Sequence, residues 1–127
     1  MKMKVLHTAL QYKDEKKAEI FFGKVLDLKK QNEFTLSSNF SDFVFGIKKD
    51  IKVIVYSQKN TTFEIFIAPK KAKNIFEHLC IQISNKEELI KRCRKYGIKM
   101  ISTERNGNKY LFIRDFSDYL YEIKEKN

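Results

Sequence analysis

The only two histidines in the chain open parallel phrases. His7 is followed four residues later by Gln11 and seven later by Asp14; His78 is followed four later by Gln82 and seven later by Asn85. Each phrase ends a strand-like run and leads directly into an amphipathic helix. In the first, Asp14 is the cap, Glu15 sits in the first turn, and Ala18, Phe21, Phe22, Val25 and Leu26 follow at helical spacing. In the second, Asn85 is the cap, Glu87 and Glu88 fill the first turn, and Leu89, Ile90, Cys93 and Tyr96 form the stripe. Gly97 follows as a stop signal. Two such matches at the same point of the same supersecondary unit read as an internal duplication.

The remaining elements complete each half. Residues 5–12 predict a first strand and 14–27 its helix. Strand-like runs follow at 34–37, 42–47, 51–57 and 61–68, the last closed by Pro69. A short polar connection at 70–74 marks the midpoint. The second half reads as a strand at 76–83, the helix, and strands at 98–103, 109–114 and 119–124. Asn106-Gly107 is a hairpin signal, and Asp115-Phe116-Ser117-Asp118 is a turn. The expected fold is α+β: two βαβββ modules, about 4–68 and 76–125, in one domain spanning 1–127.

Composition narrows the function classes. A chain of 127 residues makes one domain, and a 43% hydrophobic content supports a core rather than disorder. No apolar run approaches the roughly 18–20 residues of a membrane helix, and the N-terminus has no apolar h-region of a signal peptide. Cys80 and Cys93 are too few for a disulfide framework and have no CxxC spacing. The chain reads as reduced and cytoplasmic, so the sequons at Asn39 and Asn60 carry no glycosylation message. The formal charge of +10 raises nucleic-acid binding. Only four arginines are present, Arg92, Arg94, Arg105 and Arg114, and they build no reader for bases or phosphates. The charge reads as a lysine-rich solvated surface that can still draw an anionic substrate. Neither nucleic acid nor membrane is an expected partner.

Chemistry concentrates at four residues. His7 and His78 occupy matching places in the first strand of each half. Glu64 and Glu122 lie in the last strand of each half, flanked by apolar residues. A lone histidine in a strand is usually structural, and a lone glutamate usually faces solvent. The conjunction in a duplicated unit is what carries weight, because a pseudo-twofold brings all four together. Two imidazoles and two carboxylates suit a divalent ion of intermediate hardness. No local metal motif such as HExxH is present. Gln11, Gln82 and Cys80 share the histidines' parity and are expected on the same concave face. Cys80 reads as a small buried hydrophobe rather than a nucleophile, and Cys93 as core packing. The aromatics Phe63, Phe66, Phe112, Phe116, Tyr119 and Tyr121 read mostly as core, and the four glycines form no phosphate loop.

Leu6-His7-Thr8-Ala9-Leu10, Asp14 and the run from Ala18 to Leu26 resemble the opening of the vicinal oxygen chelate superfamily, that of the glyoxalases. Phe112-Ile113-Arg114-Asp115 followed by Glu122 resembles its closing phrase. The resemblance covers nearly the whole chain. It implies paired βαβββ modules forming a curved mixed sheet around a central cavity, and a divalent metal (Ni, Zn, Mn, Co or Fe, not distinguished). The ligand positions match His7, Glu64, His78 and Glu122, a set similar to that of the lactoylglutathione lyases. It further implies a metal-dependent lyase or isomerase acting on a small α-oxygenated, hemithioacetal-like substrate. Glu122 would take the proton and an enediolate would be stabilised. Gln11 and Gln82 would line the substrate. A homodimer is implied, with each site shared between one module of each chain. Gln11 stands where the lyases often have Arg, and Ala68 where they often have Asn, which counts against glutathione as cosubstrate. Phe116, Asp118 and Tyr119 replace the usual Pro, Gly and Asn of the closing turn, and Asp27 replaces a helix-ending Gly. The alternative on the same fold is a non-catalytic sequestering protein of the bleomycin-resistance type, a class that usually lacks the four ligands.

Overall fold

A computed structural model describes residues 1–2, 4–69 and 76–126, so the connection expected at 70–74 lies outside the described residues. Strand β1 (Thr8–Tyr12) runs parallel to β4 (Thr61–Ile67). Strand β3 (Ile51–Gln58) lies antiparallel between β4 and β2 (Lys29–Leu36). The second half repeats this with β5 (His78–Ile83), β6 (Lys99–Arg105), β7 (Asn108–Arg114) and β8 (Leu120–Glu125). The strand orders are β1-β4-β3-β2 and β5-β8-β7-β6, the same path walked twice. The expected α+β fold of two βαβββ units is therefore observed.

Both helices start where the polar residues dictate. The Asp14 carboxylate accepts from the backbone N–H groups of Lys16 at 2.9 Å and Lys17 at 3.2 Å, opening α1 (Glu15–Ala18). The helix continues as a π-type segment, Glu19–Val25, and Leu26 N–H bonds to Phe21 O at 3.0 Å. Asp27 then takes the left-handed conformation (φ 59°) where glycine would be more comfortable. Asn85 Oδ1 accepts from Glu88 N–H at 3.0 Å to cap α3 (Lys86–Tyr96), which ends at Gly97 with φ 72°. Asn106 and Gly107 both have positive φ, 54° and 78°, as a two-residue hairpin between β6 and β7 requires.

Four expectations need correction. The first strand starts at Thr8, so His7 precedes it rather than lying inside it. The fifth begins at His78, two residues later than expected. Of residues 34–37, Phe34 to Leu36 are only the end of the long strand β2, whose exposed polar sequence carries no alternation. It is specified instead by backbone pairing to β3. Residues 42–47 are not a strand. Ser37 caps α2 (Ser38–Phe45), its hydroxyl accepting from Phe40 N–H at 3.3 Å, and Gly46 (φ 72°) ends it. The apolar alternation of Phe43, Phe45 and Ile47 is too short to separate a period of two from one of 3.6, and the two caps decide for helix.

The core lies between helices and sheets. Ala18, Phe21, Phe22 and Val25, at most 1% exposed, pack with Tyr12, Tyr56, Phe63 and Ile65 in the first module. Leu89, Cys93, Ile98, Leu111, Ile113, Tyr121 and Ile123 continue the same cluster in the second. The Phe21 and Tyr121 rings meet at 5.1 Å across the two modules, and Gln11 N–H donates to the Tyr119 hydroxyl at 3.0 Å. Each large aromatic so buried stabilises the fold by about 1.5–3 kcal/mol.

Candidate metal centre

On each sheet the face turned away from the core carries one histidine–glutamate pair. In the first module Leu10 and Tyr12 point into the core, which turns His7, Ala9 and Gln11 outward. Glu64 is the register partner of Ala9 and points the same way. His7 Nε2 lies 3.4 Å from Glu64 Oε1. In the second module Cys80 is the register partner of Glu122, and His78 Nε2 lies 4.0 Å from Glu122 Oε1. The imidazoles are 48% and 44% exposed and the carboxylates 25% and 19%, so both pairs are open to a ligand from outside the chain.

The chemistry of each pair fits a cation. Two donors each about 2.1 Å from one ion lie about 3.4 Å apart at a tetrahedral angle and about 4.2 Å apart when opposite. The observed separations fall within that span. His78 Nδ1 lies 3.0 Å from the Phe76 carbonyl, a hydrogen bond that commits Nδ1 as donor and leaves Nε2 facing Glu122. One pair supplies only two donors, however. Among the described residues no three His, Cys, Asp or Glu side chains gather into a group that could hold an ion. Within one chain the four predicted residues form two separate histidine–glutamate pairs.

Other predicted site residues separate. The Gln11 amide donates to Pro69 O at 2.6 Å, tying β1 to the chain that leaves β4. Gln82 is exposed on β5 opposite Lys124, its register partner. Cys80 is exposed rather than buried, because β5 is a sheet edge and no helix covers its outer face. Cys93 is buried as expected, and burial pushes its thiol up to about 11.

Two features escaped the sequence reading. Lys124 Nζ lies 3.1 Å from Glu122 Oε2 and 5.2 Å from the centre of the Tyr110 ring, and the carboxylate holds its ammonium above the ordinary lysine value. Its parity with Glu122 was the available signal. The other is α2. The Phe45 ring meets Phe66 edge-on at 5.5 Å, on the same face as Glu64. Ile51, Val53 and Ser41 are buried outside the main core cluster, so α2 folds over this face. It also leaves Phe40, Phe43, Val44, Phe45 and Ile47 exposed, Phe43 at 92%. An open groove of about 390 Å³ between the helices, lined by Lys24, Lys91, Arg92 and Lys95 among others, shares no residue with either pair.

The closing turn is braced by Asp115 within the second module. Asp115 Oδ1 accepts from Ser117 N–H and Tyr119 N–H, both at 2.9 Å, and Oδ2 accepts from the Tyr121 hydroxyl at 2.8 Å. Burial raises the Asp115 carboxyl above the ordinary aspartate value, partly offset by these bonds. Asp118 adopts φ 70°, supplying the left-handed residue that this turn needs in place of glycine.

No protein-family model and no curated protein matches the sequence. Solved structures do match. A mutant of the fosfomycin resistance protein FosX from Listeria monocytogenes, complexed with Mn(II) and 1S,2S-dihydroxypropylphosphonic acid, aligns with TM-score 0.74 and 18% identity. The match covers 100% of this chain and 95% of that one. FosX from Mesorhizobium loti aligns with TM-score 0.72 and 14% identity, over 100% and 94% of the two chains. A glyoxalase family protein from Enterococcus faecalis aligns with TM-score 0.70 and 16% identity, over 94% and 95%. The likeness extends over both modules, and the chain has the fold of the vicinal oxygen chelate proteins.

Proposed function

We propose that this protein is a divalent-metal-dependent enzyme of the vicinal oxygen chelate type, and that each of its sites is shared by two protomers. The observation that carries the reading is the pair of half-sites. His7 with Glu64 and His78 with Glu122 sit at corresponding positions of sheets with the same strand order, and the side chains of both pairs are partly exposed. A homodimer that sets the first module of one chain against the second module of the other assembles two imidazoles and two carboxylates at each site. That donor set suits Mn(II), Zn(II), Ni(II), Co(II) or Fe(II). The Mn(II) present with a FosX of this fold supports the choice of a divalent ion.

A bound ion supplies Lewis acidity to a substrate that presents two adjacent oxygens. The chain's own residues do the rest. The Phe76 carbonyl fixes the His78 ring. Glu122 is the proton acceptor, and Lys124 beside its second oxygen meets negative charge on the substrate. The glyoxalase-type reaction, proton abstraction from a hemithioacetal, is one form of this chemistry. The fosfomycin resistance proteins among the structural neighbours favour a second form, in which a small phosphonate is the substrate. A panel holding hemithioacetals of methylglyoxal with several thiols, and fosfomycin, separates the two.

The decisive test is complementation. His7→Ala and His78→Ala should each abolish Mn(II) binding. Co-expressed, they should form heterodimers carrying one intact site, restoring roughly a quarter of the wild-type sites on random pairing. Absence of rescue in verified heterodimers overturns the shared site, and full Mn(II) binding by either variant overturns the ligand set.

A further inference from the structure

The two modules part company two residues beyond each glutamate. Phe66 follows Glu64, and Lys124 follows Glu122, each on the same face as its carboxylate. Phe66 is backed by Phe45 of α2, and the neighbouring Phe40, Val44 and Ile47 are exposed apolar side chains of the same segment. Lys124 is backed by Tyr110, whose ring faces its ammonium at 5.2 Å, and it is 54% exposed. In the second module a two-residue turn joins β6 to β7 where α2 stands in the first, so no helix covers Lys124. Under a pseudo-twofold these two positions fall on opposite sides of the glutamates.

We propose that the assembled cavity is polarised, and that its ligand is a small anion bearing an apolar substituent. Lys124 holds the anionic group, and the Phe66–Phe45 wall holds the substituent. This rests on the shared-site reading and deepens it by naming the substrate class. Charge favours the assignment. Lys124 pairs with Glu122 at 3.1 Å, and it is freed for a ligand once Glu122 turns to an ion. The overall charge of +10 adds long-range attraction for an anion.

Sulfonates test the proposal, because they are anions that bind divalent ions poorly. The probes are phenylmethanesulfonate, methanesulfonate and neutral benzyl alcohol, titrated into the Mn(II)-loaded protein and followed by NMR shifts or calorimetry. The wild type should prefer phenylmethanesulfonate over benzyl alcohol by about 2–5-fold through the charge contact. It should prefer it over methanesulfonate by about 5–10-fold through the apolar contact. Lys124→Gln should remove only the first preference. Phe45→Ser, at a half-exposed position that folding tolerates, should remove only the second. Unchanged preferences in both variants overturn the proposal. Loss of dimer in Phe45→Ser, with the phenyl preference intact in the residual dimer, assigns the α2 face to the protomer contact and overturns the apolar end. Intact Mn(II) binding without the sulfonate pattern sinks the polarised cavity alone. The sulfonate pattern without Mn(II) binding sinks the metal reading alone.

Discussion

The two modules share one topology and one pair of site residues, yet they are stabilised differently. At the helix position seven residues after the cap's successor, the first module buries Phe22 and the second buries Cys93, both fully. Phe22 stands among Tyr12, Phe21, Tyr56 and Phe63, with ring centres 5.0–5.6 Å apart. Around Cys93 the filling is aliphatic, from Leu89, Ile98 and Leu111. Outside the core the contrast runs the other way: α2 covers the first module's open face, while the second module's face is bare. A duplicated fold thus needs little more in common than the strand order, and here it also keeps the two histidine–glutamate pairs. Core filling and face covering are free to diverge, because each is satisfied locally.

The largest effect that separates the modules concerns chemistry. Glu122→Gln keeps size and can still coordinate, but its amide accepts no proton, so turnover should fall about 10²–10⁴-fold. Glu64→Gln should act mainly through Mn(II) affinity, with turnover at saturating metal closer to wild type. Equal losses of turnover in the two variants at saturating Mn(II) would remove the assignment of Glu122 as the base.

Core substitutions come next. Phe22→Ala opens a cavity in the aromatic cluster and should cost about 3–5 kcal/mol of unfolding free energy. Cys93→Ala, at the matching position, should cost about 1 kcal/mol. Denaturant melts of the two variants test the difference, and similar midpoints would mean that the aromatic packing contributes no more than its aliphatic counterpart.

Metal binding should stabilise both modules together. At a Mn(II) concentration 100 times its dissociation constant the gain is about 2.7 kcal/mol, and a chelator should reverse it. His7→Ala and His78→Ala should each abolish the whole gain rather than half. Independent partial gains would show two separate sites.

The smallest effect is a pH dependence that arises at the closing turn of the second module. Asp115 has a raised pKa in the folded state, so folding favours its protonated form. The stabilisation is full below the ordinary aspartate pKa and is lost as pH rises through the folded value. Asp115→Asn mimics the neutral acid. The Tm difference, wild type minus variant, should therefore fall as pH is raised from about 3 toward neutrality. A constant difference would mean that the turn holds Asp115 without regard to its charge.

The repeated His–Gln–Asp/Asn phrase determined most of the architecture, because capping and helical periodicity act over a few residues and are written there. The same locality exposed α1 and α3, the Asn106-Gly107 turn, and the parity that puts Glu64 and Glu122 on the faces of His7 and His78. Tertiary structure decided what depends on distant partners. Strand β2 exists because β3 supplies its hydrogen bonds, and its polar sequence carries no sign of that. Helix α2 hid because six residues of apolar alternation fit two periods, and only Ser37 and Gly46 resolve them. Cys80 is exposed because β5 is an edge, and Gln11 is occupied because Pro69 lies beside it. The sequence named four candidate ligands, but distances across two sheets follow from packing, and within one chain that packing leaves them as two pairs.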